Sequence, residues 1–100
     1  MTLREFQEQI EAIYYERDGA RGISGSFQWL AEEVGELSRA LRKGEPGNLK
    51  EEFADVAAWL FTLASLAEVD MEEAVSKYAG GCPRCEATPC ACPAENRKLV

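Results

Sequence analysis

The sequence predicts an all-α fold, a four-helix bundle completed by dimerisation, followed by a short cysteine-rich tail. Three observations carry this reading. Apolar residues recur at three- and four-residue spacing in successive stretches, and no stretch alternates at the strand period. The most apolar stretch, "VAAWLFTLA" at 56–64, is apolar on nearly every side. A helix apolar all round is covered on more than one face, which in a chain of 100 residues points to a subunit interface.

The first helix is expected over 3–17, with Leu3, Phe6, Ile10 and Ile13 on its buried side. "RDGARGISGS" follows, and its three glycines predict a loop. Ser24 or Ser26 is expected to cap the second helix, which runs to about Lys43 with Phe27, Leu30, Val34, Leu37 and Leu41 as its apolar stripe. Arg39, Arg42 and Lys43 suit its negative C-terminal end. "GEPGN" breaks the chain, and Asn48 is the expected cap of a third helix carrying Leu49, Phe53, Val56, Leu60, Leu63 and Ala67. Asp70 then caps a short fourth helix, "MEEAVSKY", which stops at Gly80-Gly81. The domain division is a helical domain over 1–80 and a tail over 81–100.

The composition, 46% apolar and 29% charged, is that of an ordinary globular chain. A net charge of −7 disfavours duplex nucleic acid and anionic membrane as partners. No run approaches the roughly 18 apolar residues of a membrane span. The opening "MTLREFQEQI" has no apolar leader region, so a cytoplasmic location is expected. Histidine is absent, which removes Cys-His and Ser-His catalysis and imidazole metal ligands.

Chemistry concentrates in two acidic pairs. Glu33 and Glu36 lie in "EEVGEL", Glu52 and Asp55 in "EEFADV". Residues three apart on a helix project side by side, so each pair repels itself by a few tenths of a kcal/mol unless something compensates. An E-x-x-E pair alone is usually a solvated face. Two such pairs at the stripe margins of helices joined by a short break, and hence antiparallel neighbours, can face each other across the interface. Four carboxylates with no imidazole or thiolate nearby suit a hard cation, Mg²⁺ with Mn²⁺ as substitute, and such a site suits hydrolysis at phosphorus. Glu32, on the same turn, is placed to support the ligands.

The spacing of these pairs, with "RDGARGISGSFQWLAEEVGEL", "EFADVAAWLFTLASLAEVDMEEAVSKY" and "GCPRCEATPCAC" around them, resembles the MazG-like all-α nucleoside triphosphate pyrophosphohydrolases, in their short single-domain form. The resemblance covers nearly the whole chain. It implies hydrolysis of an NTP or dNTP between the α- and β-phosphates to NMP and pyrophosphate, with house-cleaning of non-standard nucleotides as the expected role. It also implies Mg²⁺ dependence and a homodimer or homotetramer. Carried over by position, Glu33, Glu36, Glu52 and Asp55 would hold the metal. Lys77 matches a lysine of the family and is the candidate for phosphate.

Arg17 and Arg21 are weaker candidates for phosphate or base, with solvated loop arginines as the plain alternative, and Lys50 is expected either to reach substrate or to pair with Glu51. Trp29 and Trp59 suit a nucleobase stack or, more commonly, core or interface. The tail holds Cys82, Cys85, Cys90 and Cys92 in eleven residues. A C-x-x-C turn resembles half of a zinc knuckle, so a structural Zn²⁺ stands beside disulfides and free thiols as readings of the tail. Two rival functions remain from the sequence. One is a catalytically weak helical dimer that binds a nucleotide or a partner, the other a purely structural dimer with no metal affinity at the carboxylates.

Overall fold

A computed structural model describes residues 1–93; the last seven positions of the expected tail, 94–100, lie outside the described residues. Every regular element among the described residues is helical: α1 (Leu3–Lys43), α2 (Pro46–Leu66), α3 (Met71–Val75) and a closing 3-10 turn (Ser76–Tyr78). Thr2 opens α1 with a reciprocal cap. Its hydroxyl accepts the Glu5 N–H at 3.0 Å while the Glu5 carboxylate accepts the Thr2 N–H at 2.7 Å.

The first and second expected helices are both present, but they join end to end at a kink within α1 rather than across a ten-residue loop at "RDGARGISGS". Within α1 only Gly22 leaves helical geometry, with φ 79° and ψ 177°, a region essentially reserved for glycine. This kink divides α1 into two arms. Each glycine in a helix costs about 1 kcal/mol relative to alanine, and packing around the kink overrides that cost. Asp18, buried just before it, accepts from Arg21 Nη1 at 2.9 Å and from Thr62 Oγ1 of α2 at 3.1 Å. Ser26, fully buried, accepts from Arg21 at 3.3 Å; it lies inside the helix rather than capping one.

The kink lets the two arms meet α2 differently. The first arm meets the C-terminal half of α2. Phe6 packs edge-on against Phe61, centroids 4.9 Å apart. Gln7, buried, donates to Ser65 Oγ at 3.1 Å and the Val69 carbonyl at 2.8 Å, and accepts the Met71 N–H at 2.8 Å. One glutamine thereby satisfies the connection between α2 and α3. The second arm runs antiparallel to α2, as expected from the short break, and stacks Trp29 on Trp59 at 6.0 Å.

The caps between these elements follow ordinary helix chemistry, with one correction. Gly44 ends α1 in the left-handed region at φ 68° and donates to the Ala40 carbonyl. The residue at the cap of α2 is Glu45, not Asn48, because Pro46 at the first helical position fixes the helical start three residues earlier. Asn48 instead donates to the Glu45 carboxylate at 2.8 Å. Asp70 caps α3, accepting from the N–H groups of Glu72 and Glu73, and Arg4 bridges Asp70 and Glu72 at 2.9 Å each.

The core of the single chain is thin. Among the described residues the buried apolar side chains are Ile10, Ala40, Phe61 and Ala64. Phe27, Val34 and Leu41 of the second arm and Phe53 and Leu60 of α2, expected on buried stripes, are instead exposed, Phe27 by 59% and Phe53 by 55%. A single chain lacks the surface to cover them.

Candidate active site

The antiparallel packing of the second arm on α2 brings Glu33 beside Glu52 and Asp55, nineteen and twenty-two positions on in the chain. Each offers a carboxylate oxygen, and the three atoms lie within 4.8 Å of one another. Glu36, half-buried one turn further along α1, stands outside that group, but its charge acts on Glu33. The Glu33 carboxyl is held above the ordinary carboxylate range by burial first, then by the charges of Asp55, Glu52, Glu36 and Glu32. Among the described residues no ion pair relieves the crowding: those of the helical domain lie elsewhere, at Arg4 and Arg21.

Glu52 carries the strongest signal. Its Oε2 is buried and has no hydrogen-bond partner. A buried carboxylate oxygen left alone is costly, and native chains pair such atoms or place a cation on them. Hard oxygen donors gathered from two helices, one of them orphaned, fit a Mg²⁺ or Mn²⁺ ion.

Beside Asp55 opens a cavity of about 270 Å³ whose wall includes Tyr14, Arg17, Arg21 and Trp59. The cavity thus joins a carboxylate of the acidic group to two arginines and two aromatic rings. Arg21 is not a free loop cation. Its guanidinium lies 4.7 Å over the Trp59 ring and is bonded to Asp18 and Ser26. Trp29 and Trp59 stack on each other rather than standing open as separate platforms. Lys50 is exposed and makes no ion pair with Glu51 among the described residues. Lys77 makes no ion pair with these carboxylates among the described residues. It sits on the 3-10 turn beyond α2, its Nζ 5.2 Å from the Tyr78 ring centre, while Glu52 lies roughly 21 Å of helix rise before the end of α2.

Sequence reasoning missed Asp18 and Thr62, the hub that ties the kink to α2. An aspartate ahead of a glycine reads as turn chemistry, and its sequence signal is the same whether it caps a loop or is buried against a helix.

The tail forms a second cluster. The four sulfurs of Cys82, Cys85, Cys90 and Cys92 lie within 4.8 Å of one another. Backbone N–H groups of Cys85 and Arg84 pull the Cys82 thiol down to about 6. Cys85 is lowered in the same way by the N–H groups of Ala87 and Ala91. Cys92, hydrogen-bonded to the Cys90 sulfur and surrounded by the others, is pushed up to about 12.

Among the described residues the fold is all-helical, and carboxylates from two antiparallel helices converge beside a cavity lined by Arg17, Arg21, Asp18, Asp55, Tyr14 and Trp59. The family model of the MazG nucleotide pyrophosphohydrolase domain matches residues 22–85, close to two thirds of the chain. The chain belongs to that family. The match begins at the kink and spans both acidic pairs, α2, α3 and the first two cysteines. No curated protein matches it significantly. No helix among the described residues is long and apolar enough to cross a membrane.

Proposed function

We propose that this protein hydrolyses nucleoside triphosphates, ribo or deoxy, between the α- and β-phosphates, releasing a monophosphate and pyrophosphate in a Mg²⁺-dependent reaction. The observation that carries this reading is the convergence of Glu33, Glu52 and Asp55 around the partnerless Glu52 oxygen, in a chain of the pyrophosphohydrolase family. These three carboxylates would hold the cation, with Glu36, one turn along, as a further ligand. A Mg²⁺ ion held there by Glu33, Glu52 and Asp55 would supply charge neutralisation for the phosphate oxygens and the leaving pyrophosphate. The chain's own part is to orient. Arg17 and Tyr14 in the adjoining cavity meet the nucleotide, and the stacked tryptophans form a stiff wall beside it.

The working form is a homodimer or a larger homo-oligomer. Phe27, Val34, Leu41, Phe53 and Leu60 are exposed in the single chain and continue the stripes that flank the site. Burying such apolar area contributes about 25 cal/mol per Å². Lys77, away from the carboxylates of its own chain, reaches phosphate from a neighbouring subunit.

The test is product analysis with a panel of NTPs and dNTPs in Mg²⁺ or EDTA, alongside Glu36→Gln and Asp55→Asn, with the mass in solution measured in parallel. Metal-dependent pyrophosphate release, lost in both variants of a dimeric protein, is expected. Release of single phosphates would overturn the bond assignment. Nucleotide binding without turnover would make the protein a binding module.

A further inference from the structure

The geometry points to a second metal site, built by Cys82, Cys85, Cys90 and Cys92, that takes one Zn²⁺ and folds the segment after the helical domain. It shares no residue with the carboxylate site, so neither reading depends on the other.

The sulfur spacing is the first argument. Cys82 and Cys92 stand 3.8 Å apart, Cys85 and Cys90 4.0 Å, and Cys82 and Cys90 3.6 Å. A tetrahedron of thiolates around zinc, with Zn–S of about 2.3 Å, has edges of about 3.8 Å. The four atoms therefore form a cage of the right size. Two disulfides would gather the sulfurs as bonded pairs near 2.05 Å rather than as four atoms at similar separations.

The backbone is the second argument. The Cys82 N–H donates to the Ala87 carbonyl at 3.0 Å, and the Glu86 N–H to the Cys82 carbonyl at 2.7 Å, so the C-x-x-C segment is a closed turn. Glu86 takes a left-handed conformation, φ 61°, to complete it. Gly81 has φ 108°, and a Cβ there would meet Thr88 Oγ1 at 2.8 Å and the Glu86 carbonyl at 3.0 Å. The second half folds onto the first through N–H donors aimed at sulfur: Ala91 to Cys85 at 3.2 Å and Cys92 to Cys90 at 3.4 Å. Such donors stabilise sulfur in its charged, ligating form.

The third argument is what else could hold this turn. Residues 79–93 contain no regular element and no buried side chain. A segment of that size without a core ordinarily relies on a disulfide or a metal. Four thiolates also select against the hard cation of the helical site, because sulfur suits zinc and oxygen suits magnesium.

The experiment uses the full chain, purified under reducing conditions without added metal. Metal content is measured by mass spectrometry, and Co²⁺ is then titrated into the stripped protein. One zinc per chain is expected, together with sulfur-to-cobalt charge transfer and the intense visible bands of a tetrahedral thiolate site. Cys85→Ser and Cys90→Ser should each weaken cobalt binding by at least a hundredfold. Far-UV circular dichroism should keep its helical amplitude, which separates loss of the site from loss of the fold. Gly81→Ala, which leaves every sulfur in place, should weaken binding about tenfold. Iron in place of zinc overturns the assignment, as do four freely titrating thiols with no cobalt spectrum. Equal cobalt affinity in the serine variants would place the metal elsewhere and overturn it too.

Discussion

The carboxylate cluster and the thiolate cluster are both groups of negative ligands, yet they are made by opposite strategies. Glu33, Glu52 and Asp55 come from two helices and meet only because α1 packs on α2. The four cysteines lie within eleven residues and meet through a local turn. The first cluster is oxygen-rich and opens onto a cavity, as a site must that admits a substrate. The second is sulfur-rich and surrounds its centre with four ligands, as a closed structural site does. A site that works on a ligand needs the fold to place it, whereas a site that makes local structure needs only its own loop.

Separate perturbation tests that contrast most strongly. Glu52→Gln, which keeps shape but removes charge at the orphaned oxygen, should lower pyrophosphate release by about 10²-fold or more and leave zinc content unchanged. Cys85→Ser should do the reverse, losing zinc while turnover stays within about twofold of the parent. If either variant disables both sites, the two are not independent.

The next effect bears on the packing that assembles the carboxylates. Gly22→Ala places a side chain at φ 79°, ψ 177°, a strain of about 1–3 kcal/mol. The melting temperature should fall by roughly 4–8 °C for each kcal/mol, with cobalt binding by the tail unaltered.

A smaller effect follows from the charge crowding. Glu33, its pKa raised, holds its proton more tightly in the folded chain than in the unfolded one. The metal-free fold is therefore penalised above that raised pKa, and the penalty fades as pH falls through it. Glu33→Gln should raise the melting temperature of the metal-free protein at neutral pH by about 2–5 °C, with the gap closing in acid. Mg²⁺ should reverse the order by stabilising the parent and not the variant. The smallest effect belongs to Arg4→Ala. Its ion pairs with Asp70 and Glu72 are solvent-exposed, so its melting shift should be slight and should vanish in high salt.

Much of this was readable before any coordinates. Apolar spacing located the helices because burial imposes the helical period on sequence. Gly44 and Asp70 marked helix ends because each meets a local backbone requirement. The acidic pairs were legible as pairs, and the antiparallel packing follows from the short break between their helices. That the break inside α1 would shrink to a single kinked residue was not legible. Three glycines predict a loop by local propensity, and the Asp18–Arg21–Ser26–Thr62 network that overrides it joins residues forty-four positions apart. Nor was the division of roles within the acidic set, since Glu33 and Glu36 have the same spacing signal and only packing sets Glu36 outside the tight group. Asn48 misled because a good capping residue was available two positions after a proline had already fixed the start.

The chain contains two tryptophans, and they are stacked on each other at one edge of the cavity, with the Arg21 guanidinium 4.7 Å over one of them. All of the protein's indole emission therefore arises beside Asp55. Indole emission follows the polarity and charge around the ring, so any event that shifts the kink or fills the cavity changes that emission. The molecule carries its own optical gauge, and cation or nucleotide arrival can be timed in a stopped-flow mixer without attaching a dye.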